Sequence, residues 1–248
     1  MKTGAQLYTV RDFCKTKEDF AETLKKIAEI GYQTVQVSGT CAYEPAWLAN
    51  ELKKNGLQCV LTHIPKDNLT ENARQVALDH QIFGCNYVGL GFFSFREPEK
   101  NLEEFSELFL PVANTIKENG KYFMYHNHAG EFQKIGRKTV LEHLAQRFPA
   151  DALGFTLDTY WAQFAGADPA DWIEKLSGRV PCIHLKDQTF DQKMAVIGEG
   201  NINFDRVFAV AEKAGTQYML VEQDDCNGED PFACLKRSYE FLKSRGFE

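Results

Sequence analysis

The sequence predicts an α/β fold, a (β/α)8 barrel built as one domain over residues 1–248. Three observations predict it. Eight short apolar or β-branched runs alternate with amphipathic stretches from end to end, the pattern of βα units around a parallel sheet. Six glycines (Gly31, Gly56, Gly84, Gly120, Gly178 and Gly215) each follow a helical pattern and precede the next strand, where a left-handed C-cap is needed. Eight units of about 31 residues fill the 248-residue chain, and a closed barrel of this kind typically takes about 250. An open, doubly wound nucleotide-binding sheet would carry a glycine-rich turn after its first strand, and this chain has TVRDFCKT there.

In chain order the expected strands are 5–10 (AQLYTV), 34–38 (TVQVS), 58–63 (QCVLTH), 86–91 (NYVGLG), 122–127 (YFMYHN), 153–158 (LGFTLD), 180–185 (VPCIHL) and 217–222 (QYMLVE). Between them the 3.6-residue period is clearest over 18–30, where Phe20, Leu24, Ile27 and Ala28 share a face. It is equally clear over 102–118, with Leu102, Phe105, Leu108, Phe109, Val112 and Ile116. No linker or low-complexity tract divides the chain.

Composition narrows the partners. With 28 Lys+Arg against 35 Asp+Glu the formal charge is −7, which argues against nucleic acid or a membrane surface, since both are held by a basic footprint. No run approaches the roughly 18 apolar residues of a membrane span, and the N-terminus lacks a signal-peptide core, so a soluble protein is expected. Seven scattered cysteines without a C-x-x-C pair indicate neither a disulfide framework nor a zinc knuckle; the expectation is a reduced, cytoplasmic protein.

A barrel places its chemistry where strands run into the following loops. Those junctions hold His63 after the third strand, His126, Asn127, His128 and Glu131 after the fifth, and Asp158 and Trp161 after the sixth. His184, Lys186 and Asp187 end the seventh strand, and Glu222, Gln223 and Asp224 the eighth. Each has a plain structural alternative: Asp158 or Glu222 alone would cap a helix, and a lone histidine is usually a hydrogen-bonding residue. Together they gather like charges that repel unless a cation lies between them. The expected metal ligands are therefore Glu131, Asp158, His184 and Glu222, with His126 or His128 as alternatives to Glu131. Such an oxygen-rich shell suits one Mn²⁺ or Mg²⁺ ion, with Zn²⁺ or Co²⁺ as alternatives. Asp187, Asn127 and Gln223 lie close enough in sequence to orient the ligands. Trp161 is expected to stack on a substrate ring, and Phe92, Phe93 and Phe95 are divided between that role and packing. His80 and His143 fall inside helices and are expected to be structural.

The motifs QLYTVRD, YHNHAGEF, LDTYW, HLKD, IGEGNINF and VEQD, spread over residues 6–224, resemble the xylose isomerase-like TIM-barrel superfamily, in its sugar phosphate isomerase/epimerase branch. The resemblance implies a metal-dependent enzyme acting on a small-molecule sugar, keto-sugar or cyclitol. It also implies that His63, His128 and Lys186 face the substrate, that the loop containing Glu199 forms part of the rim, and that self-association through the outer helices is allowed. One departure is Gln36, where many relatives carry Glu in the second strand. The chemistry expected is proton transfer α to a carbonyl through a metal-stabilised enediolate, with Glu131 and Glu222 flanking the carbon and His63, His128 and Lys186 serving its oxygens. Asn127, Glu199 and Gln223 would join Trp161 in binding substrate. Elimination, as in dehydration of a keto-cyclitol or cleavage of a 3-keto-glycoside, is the neighbouring alternative. More distant readings are an endonuclease IV-like DNA repair enzyme, disfavoured by six histidines and negative charge, and a non-catalytic binding barrel.

Overall fold

Backbone pairing carries the chain around a closed circuit. In the computed structural model, which describes residues 1–247, eight parallel strands pair in the cyclic order 1-8-7-6-5-4-3-2. They are Lys2–Gln6, Thr34–Val37, Gln58–His63, Tyr87–Leu90, Tyr122–His126, Leu153–Asp158, Cys182–Leu185 and Tyr218–Val221. The fold is the predicted (β/α)8 barrel. Helices return the chain on the outside, among them Lys17–Ile30, Lys66–Ile82, Pro98–Glu118 and Pro231–Ser244. All six predicted glycine caps adopt positive φ, between 66° and 123°.

The first strand lies earlier than predicted. It runs from Lys2 to Gln6, and Leu7–Phe13 forms 3-10 turns instead. The β-branched Thr9 and Val10 suggested a strand, but the Gln6 side chain accepts the Tyr8 N–H and bends the chain, while Leu7 and Val10 go into the core. The helix expected at 102–118 starts at Pro98, whose missing N–H is harmless in a first turn.

Strand alternation separates two apolar regions. Outward residues such as Phe123, Tyr125, Phe155, Leu157, Ile183 and Val221 pack under the helices in the main core. Leu61, Met124, Cys182 and Leu220 form a smaller cluster inside the bore, joined by Val60 at the register shift between the second and third strands and flanked by Tyr87, Tyr122 and Tyr218. Parallel register aligns Leu220 with His184, Cys182 with Thr156, and His184 with Asp158. The inward positions one step further along therefore deliver His126, Asp158, His184 and Glu222 to the same end of the barrel. Of the two helical histidines, His80 is buried between Thr62 Oγ1 and the Val76 carbonyl, each at 2.7 Å, and His143 Nε2 meets the Ile135 carbonyl at 3.2 Å.

Candidate metal centre

One ligand atom from each of His126, Asp158, His184 and Glu222 comes within 4.8 Å of all the others, and all four residues are buried. In each the outward atom is taken. Asp158 Oδ1 accepts the Trp161 N–H at 3.0 Å, so the helix-capping alternative is also realised. Glu222 Oε1 accepts Gln6 Nε2 at 2.9 Å, His126 Nδ1 meets the Gly91 carbonyl at 2.9 Å, and His184 Nε2 meets Gln36 Oε1 at 2.6 Å. Because a carbonyl oxygen only accepts, both imidazoles hold an N–H outward and present their other nitrogen inward.

The inward atoms conflict. His126 Nε2 lies 3.1 Å from Asp158 Oδ2, and His184 Nδ1 lies 2.9 Å from Glu222 Oε2. Lone pair faces lone pair unless a proton or a metal ion stands between them. His184 Nδ1 is buried with only the Glu222 and Asp158 carboxylates beside it, and Glu222 Oε2 has that imidazole and the Lys186 ammonium group. Two imidazoles and two carboxylates, each steadied from behind, form a donor set that fits a divalent cation.

Lys186 is the neighbouring positive charge. Its Nζ sits 3.2 Å from Asp158 Oδ2, 2.9 Å from Glu222 Oε2, and 2.9 and 3.1 Å from the two oxygens of Asp224. Burial alone would raise both carboxyls; Lys186 and the imidazoles outweigh it and hold Asp158 and Glu222 well below the usual carboxylate range. Asp224, crowded by burial and by Glu222, rises to about 6 despite Lys186. Burial and the neighbouring imidazoles push His63 well down and, for His128, to about 3.

Glu131 is not brought to this group. It lies in the 3-10 turn Ala129–Phe132, where Tyr125 Oη donates to Oε1 and the His128 N–H donates to Oε2 at 3.0 Å. Its carboxylate caps its own turn, and His126, the alternative at the fifth strand, occupies the fourth position. Burial raises Glu131 to about 7. Glu199 is likewise drawn away: Arg237 from the last helix takes both its oxygens, at 2.8 and 3.2 Å on the exposed surface. Gln223 donates to the Asp225 carbonyl, and its N–H donates to Thr9 Oγ1.

The other expected residues do converge. A cleft of about 520 Å³ opens above the cluster, lined by His63, His126, His128, Lys186, Glu222 and Asp224 among others. Gly91 allows His63 to lie there, since a Cβ at 91 would fall 2.6 Å from His63 Nδ1. Asn127 accepts the Asp158 N–H through Oδ1 and leaves Nδ2 unpartnered, and the Trp161 indole N–H is also buried without an acceptor. Trp161 packs against His128, ring centroids 5.2 Å apart, and Phe92 meets His128 edge-on from the exposed side. Phe93 and Phe95 belong to the main core.

Gln6 and Gln36 escaped the sequence reading as orienting residues because amides carry no charge to flag them. Their signal was positional: each lies on the inward face of its strand, and the two are register partners. Asp187 was expected to steady a ligand; instead it accepts N–H groups from Gln188, Gly198, Gly200 and Ile202 at 2.8 to 3.1 Å, tying the rim loop beside Lys186. Gly200 is required there, because a Cβ would lie 2.4 Å from Asp187 Oδ1.

Residues 24–245 match the family model described as xylose isomerase-like TIM barrel. The chain belongs to that family. Among curated proteins it is similar to inosose dehydratase of Geobacillus kaustophilus, 22% identical over 89% of this chain and 85% of that one. Among solved structures it is similar to a sugar phosphate isomerase/epimerase from Parabacteroides distasonis, with a TM-score of 0.85 and 22% identity over 98% and 93% of the two chains. It also resembles an L-ribulose 3-epimerase, with a TM-score of 0.76 and 15% identity over 98% and 94%. Among the described residues, no helix is long and apolar enough to cross a membrane.

Proposed function

We propose that this protein is a divalent-metal-dependent isomerase or epimerase that moves a proton α to the carbonyl of a sugar, keto-sugar or cyclitol. The observation that carries the reading is the set of four inward atoms on His126, Asp158, His184 and Glu222, each fixed from behind and all within one cation's reach. A divalent ion held there supplies Lewis-acid stabilisation of charge that develops on a carbonyl oxygen. With His126 in place of Glu131 the shell gains a nitrogen, which favours Mn²⁺, Co²⁺ or Zn²⁺ over Mg²⁺.

The remaining work falls to residues of the cleft. His63 and His128 flank His126, with ring centroids at 5.3 and 4.7 Å, and each has a buried ring nitrogen without a partner. Burial keeps both neutral, so each offers a lone pair to a proton or hydroxyl of the substrate, beside the catalytic roles expected of Glu131 and Glu222. Lys186 holds or protonates a substrate oxygen. The unpartnered Asn127 Nδ2 and Trp161 Nε1 donors match a ligand rich in oxygen acceptors, and the faces of Trp161 and Phe92 cover an apolar ring face.

An unphosphorylated substrate fits better than a phosphorylated one. The Arg11 guanidinium is engaged by the Tyr8 and Asp224 carbonyls, Lys186 by three carboxylates, and Lys66 lies 3.9 Å from Glu104, so each of these cations lining the cleft already has a partner. Elimination is the second reading, favoured by the similarity to an inosose dehydratase. A leaving group on the β-carbon would let the same deprotonation end in loss of water.

Incubating Mn²⁺-loaded protein in heavy water with ketoses, keto-cyclitols and 3-keto-glycosides tests the proton transfer. Deuterium gain or an elimination product from one class is expected. A protein that retains metal yet leaves every compound unlabelled and intact would sink the proposal.

A further inference from the structure

Lys186 stands where a cation is wanted. Its side chain leaves the end of the seventh strand and is only 1% exposed. Its Nζ lies against Asp158 Oδ2 and Glu222 Oε2, the two oxygens that Trp161 and Gln6 leave free for a metal ion. Two positive centres crowded onto the same pair of oxygens repel strongly in a buried site. Asp224 waits behind, with both oxygens already on the ammonium group and its side chain 26% exposed toward the cleft.

The charges support an exchange. Asp158, Glu222 and Asp224 supply three negative charges when ionised, against one positive on Lys186 and a His184 imidazole that Glu222 and Asp158 favour in its charged form. A doubly charged ion that displaces the imidazole proton and takes Asp158 and Glu222 leaves a Lys186–Asp224 pair neutral by itself. Only the side chain need move, because the Lys186 backbone is held on both sides: Thr159 Oγ1 accepts its N–H at 2.9 Å and donates to its carbonyl at 2.7 Å, and Asp187 is anchored to the rim loop.

We infer that Lys186 is the resident counter-ion of the strand-end cluster, and that a divalent ion entering the site takes its place and moves the ammonium group wholly onto Asp224. The inference rests on the metal-site reading above. Lys186 thus keeps the unloaded carboxylates from repelling one another, at the cost of weaker metal binding. The released ammonium group, paired with Asp224 at the cleft wall, becomes available to a substrate oxygen in the loaded protein.

Mn²⁺ titration of the full chain by calorimetry, with melting temperatures measured with and without the ion, tests this. Removing one competing buried charge in Lys186→Met is expected to tighten Mn²⁺ binding by about tenfold or more. The same variant should melt lower than wild type without metal and recover most of the loss with it. Asp224→Asn removes the receiving carboxylate and should weaken binding by about tenfold. If Lys186→Met does not fold, Lys186→Gln is expected to tighten binding in its place, and Asp224→Asn still to weaken it. Wild-type binding with no gain in the lysine variants, or tighter binding by Asp224→Asn, overturns the exchange alone. No binding by any protein, with unchanged melting, overturns the metal-site reading and the exchange with it.

Discussion

The two ends of one barrel bore are built from the same strands and the same alternation, yet they are opposite in chemistry. At the lower end Leu61, Met124, Cys182 and Leu220 fill the bore, and Tyr87, Tyr122 and Tyr218 close it with edge-on contacts near 6.2 Å. Two residues further along, the same inward positions hold His126, His184 and Glu222. The lower end gains stability by removing apolar surface from water. The upper end buries four ionisable groups that could hold a metal ion, an arrangement that costs stability. The strand is thus a ruler, and distance along it separates apolar packing from a buried polar cluster.

The comparison breaks most sharply under substitution at the upper end. Asp158→Ala or His184→Ala should abolish metal retention and lower turnover by about a thousandfold or more, with the far-ultraviolet dichroism of the folded barrel preserved. Loss of turnover with full metal stoichiometry would show that these side chains touch substrate rather than metal. Leu220→Ala at the lower end should give the reverse, a loss of about 2–5 kcal/mol in urea unfolding with Mn²⁺ affinity unchanged.

Glu131 sharpens the contrast through pH. Burial raises its folded pKa from the ordinary 4.5 to about 7, so between those values the folded protein binds more protons than the unfolded chain. Stability from this group is therefore lost as pH rises from about 4.5 to about 7, by up to about 3 kcal/mol. Glu131→Gln, which keeps an acceptor for the His128 N–H, should flatten that part of the stability profile; an identical slope in the variant would remove Glu131 as its source. The smallest effect belongs to Glu199→Ala, expected to cost under about 1 kcal/mol because its partner Arg237 is at the surface, and to leave turnover intact. A large loss of turnover would return Glu199 to the site.

Much of this was readable in advance where local pattern and final position coincide. Glycine caps and β-branched runs mark the units, and Asp158, His184 and Glu222 are acid or imidazole groups at the ends of inward-facing strands. What escaped reading depended on contacts made far away or on a local turn. Gln6 Oε1 bent the first strand short. Glu131 sits in the right motif, but the turn from His128 to Phe132 folds its carboxylate back under the loop. Glu199 looked like a rim residue until Arg237, 38 positions later, claimed it. Lys186 was legible as a strand-end residue, but its contact with three carboxylates at once needed the closed barrel.

The knot at Asp187 gives neighbouring loops unequal freedom to diverge. Four amide hydrogens converge on one carboxylate, and Gly200 has no room for a side chain, so the stretch from Gly198 to Ile202 tolerates neither insertion nor drift. Just before it, the hairpin tip carries Phe190 with 89% of its surface bare, a place where new sequence can be grafted while Lys186 stays where it is.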